Sequence, residues 1–477
     1  MNNKKKIYLA LALFLSVVLV FGIWFMFDNK ENTLNDNDNN NYYIAAFIDG
    51  EASTTFPTTK DYIADVTCKK GSAEVNIGAK IDWTGTKWKL SVDDASVSDV
   101  ACNIRFVTKP TWSSPGTGTL LAAIKSNNTV KSPTTTPGSA ISADTEALLA
   151  STSDDYGTSY YFRGAVENNY VEYANMCWRI VRITGDGSIK LVLYNYNGLT
   201  STNNTPSSST PCNVTGDDLA FARYEGDTYK SLFDSTSTDN AYVGFMYGAA
   251  NASSYVEAHA NTNASTILTN LNKWYINVLS KQANFNDSQL ADTIWCNDKS
   301  VVTDATFNPG SYTLGTNYGY AKNINYYSAA KRLLSASSNS AGGTGPSLIC
   351  PNDNNGGKLS KFTVSDTTNG NGALNGYAKV GLLTADEIAF AGGAYGTSNS
   401  TYYIKGNANS SYWWALSPVG FGGGYAYVWV VYGNGSGLGY FNVNSNYGGR
   451  PSLSLQSGVK ISSSGIGSAT NPYKIAT

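Results

Sequence analysis

Histidine is nearly absent from this sequence, and charged residues are few. Among 477 residues there is a single histidine, His259, and only 14% of the residues are charged. A catalytic triad that needs histidine would have to use His259, and a metal site built from several histidines is excluded. His259 lies in a polar stretch before a predicted helix, so we expect a solvated side chain without a catalytic role.

The charge balance offers no attraction for nucleic acids. Lys and Arg number 33 against 35 Asp and Glu, a formal net charge of −2, and basic residues cluster only at the N-terminus. DNA and RNA binding need a basic patch, so we expect no nucleic-acid partner.

The adjacent Asp386 and Glu387 fit the first turn of a capped helix better than an acid–base pair. We therefore expect no enzyme, no cofactor and no metal site.

The six cysteines include no CxxC pair, which excludes zinc ribbons and thioredoxin-like sites. They fall two to a region along the chain. Proximity suggests the pairs Cys68–Cys102, Cys177–Cys212 and Cys296–Cys350, although six cysteines allow many other connectivities. Disulfides form and persist in oxidising compartments, so this pairing predicts that the bulk of the chain lies outside the cytoplasm.

A long apolar run follows three lysines at the N-terminus. Lys4–Lys6 precede residues 7–27, which contain no charged residue. The run has the length of a membrane-spanning helix, about 20 residues, and it lacks the small-residue cleavage pattern of a signal peptide. We predict an uncleaved signal anchor over residues 1–27, and hence a single-pass membrane protein with its C-terminal bulk extracellular. A cleaved signal peptide is the alternative.

Composition divides the remaining chain into four segments. Residues 28–41 are an Asn- and Asp-rich polar linker, and residues 42–108 are predicted to form a small disulfide-linked β domain of short strands. Residues 109–153 are a Ser-, Thr- and Pro-rich linker with one short helix expected near Thr145–Ala150. Residues 154–477 form the last and largest domain.

Three elements of the largest domain are predicted from sequence pattern. Two β-runs, Cys177–Ile183 and Ile189–Tyr194, flank a Gly-Asp-Gly turn and predict a hairpin. Apolar residues spaced by three and four predict an amphipathic helix over Ser265–Ser280. Thr384 and Glu387 form a capping box, which predicts the start of a second helix.

The segment from Ser411 to Pro451 has the most unusual composition in the chain. A Trp-Trp-Ala-Leu-Ser-Pro run opens it at Trp413, Gly-Arg-Pro closes it, and no charged residue lies between the two. Tyr, Gly, Asn, Ser, Phe and Val dominate the interval. Antibody binding loops use a similar alphabet, because Tyr gives contact area for little lost entropy while Ser, Gly and Asn adapt their hydrogen bonds.

The genetic code offers a second interpretation of this residue composition. An Asn codon becomes Tyr, Ser, Gly, Val or Phe when only its adenines are replaced. It cannot become Lys, Glu, Gln, Met or Trp, because its third base is a pyrimidine. Lys, Glu, Gln and Met are absent from the segment, and its tryptophans belong to the surrounding frame. The pattern therefore predicts diversification at adenines.

The segment resembles the variable region of diversity-generating-retroelement target proteins, which have a C-type-lectin-like fold related to that of formylglycine-generating enzyme. The resemblance covers roughly Tyr156 to the C-terminus and is specific only near that end. It is carried by Trp413, Trp414, Leu416, Ser417, Pro418, Ala426, Val428, Trp429, Gly435, Val443, Gly449, Arg450 and Pro451.

The resemblance implies an α+β protein. A C-terminal C-type-lectin-like domain would follow the small all-β domain and the N-terminal transmembrane helix. The implied scaffold frame consists of Trp413, Trp414, Pro418, Trp429 and Arg450. The implied ligand-binding residues are Tyr425, Tyr427, Tyr432, Asn434, Tyr440, Phe441, Asn442, Asn444, Asn446 and Tyr447. The cysteine-based oxidase chemistry of the enzyme relative is not expected, because every cysteine has a plausible disulfide partner.

These features together predict a membrane-anchored receptor or adhesin with a diversified binding face. Its partner would be a protein or glycan on another cell, a phage or a host surface. One alternative is a structural cell-surface or wall protein without a diversified site. Another is a surface enzyme, which would need a deep polar cleft with perturbed carboxylates.

Overall fold

The chain divides into two compact units, with the boundary between Lys109 and Pro110. Its structure is a computed structural model. The residues that it describes are 42–71, 73–75, 77–92, 97–108, 118–139, 146–310, 325–351, 361–363, 379–433, 437–463 and 465–477.

The first unit is a five-stranded sheet with an accompanying hairpin. Its strands are β1 (Tyr42–Ile48), β2 (Glu51–Ser53), β3 (Tyr62–Lys70), β4 (Ala73–Glu74), β5 (Lys80–Trp83), β6 (Trp88–Ser91) and β7 (Val100–Thr108). The sheet order is β2-β1-β7-β3-β4, and β5 pairs with β6. The β1–β7 pair is parallel. Trp88, Ile104 and Phe106 are buried in one small core.

The second unit contains five α-helices and seventeen strands among its described residues. The helices are α1 (Leu120–Asn127), α2 (Tyr255–Ala258), α3 (Thr266–Asn277), α4 (Ser328–Leu333) and α5 (Ala385–Ala391). The strands are β8 (Ala147–Asp154), β9 (Gly157–Gly164), β10 (Tyr170–Tyr173), β11 (Met176–Ile183), β12 (Ile189–Asn195), β13 (Lys230–Leu232), β14 (Met246–Tyr247), β15 (Asn263–Ala264), β16 (Trp295–Cys296), β17 (Asn325–Tyr326), β18 (Lys361–Phe362), β19 (Trp413–Gly422), β20 (Tyr425–Val431), β21 (Leu438–Asn442), β22 (Asn446–Gly448), β23 (Ser452–Leu455) and β24 (Tyr473–Lys474).

Two large sheets organise this unit. The first runs β23-β12-β11-β10-β24, with β9 pairing β11 and β8 pairing β9; the second runs β13-β22-β19-β20-β21, with β17 pairing β19. The predicted hairpin is confirmed as β11 and β12, which are buried along their whole length. Strands covered on both faces read as continuous apolar runs, which is why both were visible in the sequence.

The predicted α+β class with a C-type-lectin-like domain is wrong. The described residues are mostly sheet, with 35% in strands against 15% in helices. Only α1 and α3 reach eight residues. The abundance of Tyr, Thr and Val suits strands, and the many Gly, Asn and Ser residues suit the turns between them.

The predicted single-pass membrane placement is also wrong. Among the residues that the structure describes, no helix is long and apolar enough to cross a bilayer. Residues 1–27, where that helix was expected, lie outside the described residues, as does the predicted linker 28–41.

Part of the predicted linker 109–153 belongs to the second unit. Thr119 caps α1, which buries Leu120, Leu121 and Ile124 in the main core. The expected helix near Thr145–Ala150 is a strand instead, because β8 pairs with β9 along its length.

The structure contains three disulfides, and they join the pairs suggested by proximity. Cys68 and Cys102 lie directly opposite each other in the β3–β7 register. Cys177–Cys212 and Cys296–Cys350 brace the second unit.

His259 is fully buried, contrary to the expected solvated side chain. Its backbone ends α2, and its Nε2 lies 3.3 Å from the Tyr327 hydroxyl. The neighbouring Asn261 is buried as well, so a polar stretch of sequence here does not mean exposure.

The second predicted helix is confirmed as α5, and its cap is part of a buried ion network. The Thr384–Glu387 capping box is present. Glu387 accepts bonds from Lys190 at 2.7 Å and Arg182 at 2.9 Å. Burial alone would raise the pKa of Glu387, but these two cations outweigh it and hold the pKa at about 2. The carboxylate is therefore charged and compensated.

Replacing Glu387 with Gln should lower the free energy of unfolding by about 3–5 kcal/mol, because Lys190 then stays buried without an anion and Arg182 keeps only Asp154. Urea denaturation would measure the change. Lys379→Gln is the matched control: it breaks the more exposed pair with Asp287 and should lower stability by less than about 1 kcal/mol. Equal losses in the two variants would contradict a structural role for the network.

Candidate ligand-binding surface

The segment 411–451 builds most of the second large sheet. Strand β19 is buried throughout and lies between β20 and β22. The Trp414 indole donates to the carbonyl of Ser231 at 2.8 Å, and the Leu416 amide donates to the carbonyl of Leu383. The opening run of the segment is therefore a core strand that holds the following strands in place.

The residues of the implied frame lie in the core. Arg450 is fully buried; its Nε donates to the carbonyl of Leu193 at 2.9 Å, and its guanidinium lies over the Trp413 ring at 5.1 Å. The Ser417 hydroxyl accepts from the amide of Ala385 at 3.0 Å. The other frame residues, Trp413, Trp414, Pro418 and Trp429, are all buried. Of the further residues that carry the resemblance, Gly435 lies outside the described residues and the rest are buried: Leu416, Ser417, Ala426, Val428, Val443, Gly449 and Pro451.

The implied contact residues lie nearer the surface. Tyr425 is 43% exposed, and Asn444 and Asn446 are also exposed. Asn434 lies outside the described residues. The remaining six are half-buried: Tyr427, Tyr432, Tyr440, Phe441, Asn442 and Tyr447. No charged side chain occurs among them, so any binding would rest on stacking and neutral hydrogen bonds.

The structure divides these residues between the two faces of the sheet. In the β20–β21 register, Tyr440 lies opposite Trp429, and Asn442 lies opposite Tyr427. Successive side chains of a strand point to opposite faces, so Tyr440 and Phe441 face apart. The expected single contact surface is therefore two surfaces that meet along β21.

The Tyr440 cluster, formed by Tyr395, Tyr427, Trp429 and Tyr440, occupies one face. Tyr395 stacks on Tyr440 with ring centroids 5.9 Å apart and planes 14° apart. Tyr427 meets Tyr440 edge-on at 5.8 Å. Burial, followed by the neighbouring Tyr395, raises the pKa of Tyr440. The hydroxyl therefore stays neutral at physiological pH.

The Tyr412 cluster, formed by Tyr412, Tyr432, Phe441 and Tyr447, occupies the other face. Tyr412 is its centre, with ring centroids 4.8 Å from Tyr432, 5.5 Å from Phe441 and 5.3 Å from Tyr447. Gly439 leaves room for the Tyr432 ring of this cluster, because a Cβ at position 439 would stand 2.2 Å from the end of that ring.

Sequence reasoning missed the two aromatic residues that anchor these clusters. Tyr412 precedes Trp413 directly, so its position beside the frame was the available signal. Tyr395 follows α5, and its segment meets β21 through a bridge to Leu438. Only the folded chain brings Tyr395 to the surface segment.

A second candidate site is the polar pocket beside α5. Asp154, Arg182, Arg332, Asp386 and Glu387 line it with other residues. Arg182 pairs with Asp154 at 2.7 Å and Arg332 with Asp386 at 2.6 Å. The space left is about 20 Å³, which is room for a water molecule rather than a substrate. The charges in the pocket are already paired with each other.

Asp234 is a buried carboxylate beside the surface segment, and sequence reasoning also missed it. It follows β13, is 3% exposed, and its amide donates to the carbonyl of Val443. One carboxylate oxygen accepts from the Ser235 amide at 2.7 Å, and the other has no partner among the described residues. Burial raises the pKa of Asp234 to about 7.

Comparisons with known proteins give no further identification. No family model matches the chain, no curated protein is similar to it, and no solved structure resembles it.

Stability should depend on pH through Asp234. The pKa of Asp234 is higher in the folded chain than its ordinary value of 3.8. The contribution of Asp234 to the free energy of unfolding is therefore full below about pH 4 and is lost as the pH rises towards 7. Asp234→Asn should match the wild type in acid and exceed it at pH 8, by up to about 4 kcal/mol of unfolding free energy.

Urea denaturation at several pH values measures this difference. The exposed Asp227→Asn serves as the control and should follow the wild type at every pH. A constant difference between Asp234→Asn and the wild type would show that folding does not shift the pKa of Asp234.

Proposed function

We propose that this chain is an extracellular ligand-binding protein whose segment 411–451 carries a diversified binding surface. One observation carries the proposal. Along the segment, the described residues of the expected frame are buried, whereas the described residues of the expected contact set lie half-buried or exposed on β20, β21, β22 and their turns. A diversified binder needs this separation, because replacements must change the contact surface without disturbing the core.

The side chains at the surface suit adaptable recognition. Tyrosine offers a large amphipathic ring with few rotatable bonds, and asparagine can both donate and accept hydrogen bonds. Because the surface has no charge, it favours ligands that are bound by stacking and neutral polar contacts. We propose a protein or glycan as the partner.

The disulfides support the proposed extracellular compartment. Three disulfides join all six cysteines, and such bonds persist outside the reducing cytosol. An extracellular position would give the binding surface access to molecules of other cells or of phage.

The division into the Tyr440 and Tyr412 clusters shapes the proposed binding mode. The two clusters lie on opposite faces of β21, so one small ligand cannot contact both. A protein partner would have to fold around the edge of the sheet, or each cluster would engage its own part of the ligand. Asn444 and Asn446 are exposed at the turn into β22, and such a partner would pass over them.

Sequencing tests the diversification directly. The gene region for residues 405–455 should be read from many cells of one population, together with the neighbouring DNA. We expect variation confined to the codons of the contact residues, a near-identical template copy that differs only at adenines, and a reverse-transcriptase gene nearby. An invariant region without a template would contradict diversification and favour a structural surface protein.

Folding tolerance provides a second test at positions on the paired strands β20 and β21. Tyr425→Ser is a change that adenine replacement permits, and it should alter the free energy of unfolding by no more than about 0.5 kcal/mol. Trp429→Ser should lower it by about 3–5 kcal/mol. Tyr440→Ser should lie between them, near 1–2 kcal/mol, because it loses one stacked aromatic pair at a half-buried site.

Urea denaturation of the full chain measures all three variants. A loss at Tyr425 or Tyr440 as large as that at Trp429 would make these tyrosines core residues, and the surface could not be diversified.

A further inference from the structure

Two arginines are buried in the second unit without a carboxylate partner. Arg179, on β11, is 3% exposed and Arg450 is fully buried. Neither forms an ion pair with any residue that the structure describes. By contrast, the buried Arg163 and Arg182 are paired with Glu146 and with Asp154 and Glu387.

Arg179 is held by neutral groups. Its Nε donates to Asn169 Oδ1 and its Nη2 to the carbonyl of Val166, both at 2.6 Å. The guanidinium lies 3.7 Å from the centroid of the Tyr170 ring and 5.2 Å from that of Tyr403. These contacts satisfy hydrogen bonds but leave the positive charge in place. The exposed Glu167 attracts this charge only from beyond ion-pair distance.

Arg450 is held in the same way, with one donor left over. Its Nε and Nη1 donate to the carbonyls of Leu193 and Ile404. Its Nη2 is buried and has no hydrogen-bond partner. Burial, with a smaller contribution from the nearby Arg179 charge, lowers the pKa of Arg450 to about 10. A guanidinium nonetheless stays protonated at neutral pH, so the two positive charges persist.

Two further donors are orphaned beside these arginines. The hydroxyls of Tyr402 and Tyr403 are buried without a partner, and both interact electrostatically with Arg450. Tyr403 also interacts with Arg179. Unpaired polar atoms in the interior are rare, and each demands a partner such as an ordered water or an ion.

We propose that Arg450 Nη2 and the hydroxyls of Tyr402 and Tyr403 bind a small inorganic anion of the size of chloride. All three groups can donate hydrogen bonds, and the two guanidinium charges have no ion-pair partner among the described residues. A water molecule could accept some of these bonds but would not offset the charge, whose burial without a close counter-charge is costly. The three groups are buried, so a large anion could reach them only by opening the core. This site is independent of the proposed binding surface.

Bromide substitution tests the site in the wild-type chain. The protein, with its disulfides intact, is unfolded in urea and refolded in sodium bromide, so that any trapped ion exchanges. In crystals of this protein we expect a bromide anomalous peak in hydrogen-bonding contact with Arg450 Nη2. The absence of an anomalous peak at that position, with or without a water there, would overturn the proposal.

A solution experiment tests the same site through stability. A ligand that binds only the folded chain raises its stability with concentration. At constant ionic strength, refolding in chloride rather than the bulkier gluconate should raise the melting temperature of the wild type. The rise should shrink or vanish in the Tyr402→Phe, Tyr403→Phe double variant, which keeps the ring volumes and removes two donors.

Tyr173→Phe is the matched control, because the Tyr173 hydroxyl is also buried but donates to the carbonyl of Asn286. It should melt lower than the wild type and keep the full response to chloride. Equal melting temperatures in chloride and gluconate for the wild type, or an unchanged response in the double variant, would refute the site.

Discussion

The passage of the chain from one large sheet to the other at Gly449, Arg450 and Pro451 is the constraint on which the second unit depends. Strand β22 belongs to the sheet that carries the surface segment, and β23 belongs to the sheet built around β11 and β12. Arg450 donates to the carbonyls of Leu193 on β12 and of Ile404, and its guanidinium lies over the Trp413 ring. The Ser452 hydroxyl then donates to the carbonyl of Leu191. The surface segment 411–451 is held rigidly because it is joined to this junction.

Rigidity of this kind would let the side chains of the proposed variable surface change without disturbing the core. The buried side of β19 and β20 fixes the backbone, and the tyrosines and asparagines project from that fixed backbone to the surface. A binding site on a rigid strand loses little conformational entropy when a ligand is bound. The same interior contains two charged regions. Around Glu387 opposite charges form ion pairs. Arg179 and Arg450, which have no ion-pair partner among the described residues, are held by neutral hydrogen-bond acceptors.

Several features were predictable from local pattern because their physics is local. The β11–β12 hairpin follows from two apolar runs around a glycine-rich turn, and α5 follows from the Thr384–Glu387 capping box. The disulfide pairs followed from proximity along the chain. The overall class was not predictable in this way: the predicted α+β class rested on a resemblance and on two helical patterns, whereas the balance of strand and helix depends on which short segments find sheet partners. Residues 147–150 illustrate this, since they are helical by composition but pair with β9.

The sequence by itself determined the residue composition of the segment 411–451, the positions of the residues that carry the resemblance, and the absence of charge between Trp413 and Arg450. These are properties of residue type and order. Only the tertiary structure decided that Tyr440 and Phe441 serve opposite faces, that Tyr395 and Tyr412 complete the two clusters, and that Arg179 and Arg450 lie together without an acid. Such relations join residues far apart in the chain, and no local pattern encodes them. They arise because burying the two sheets leaves each side chain only the neighbours that the packing supplies.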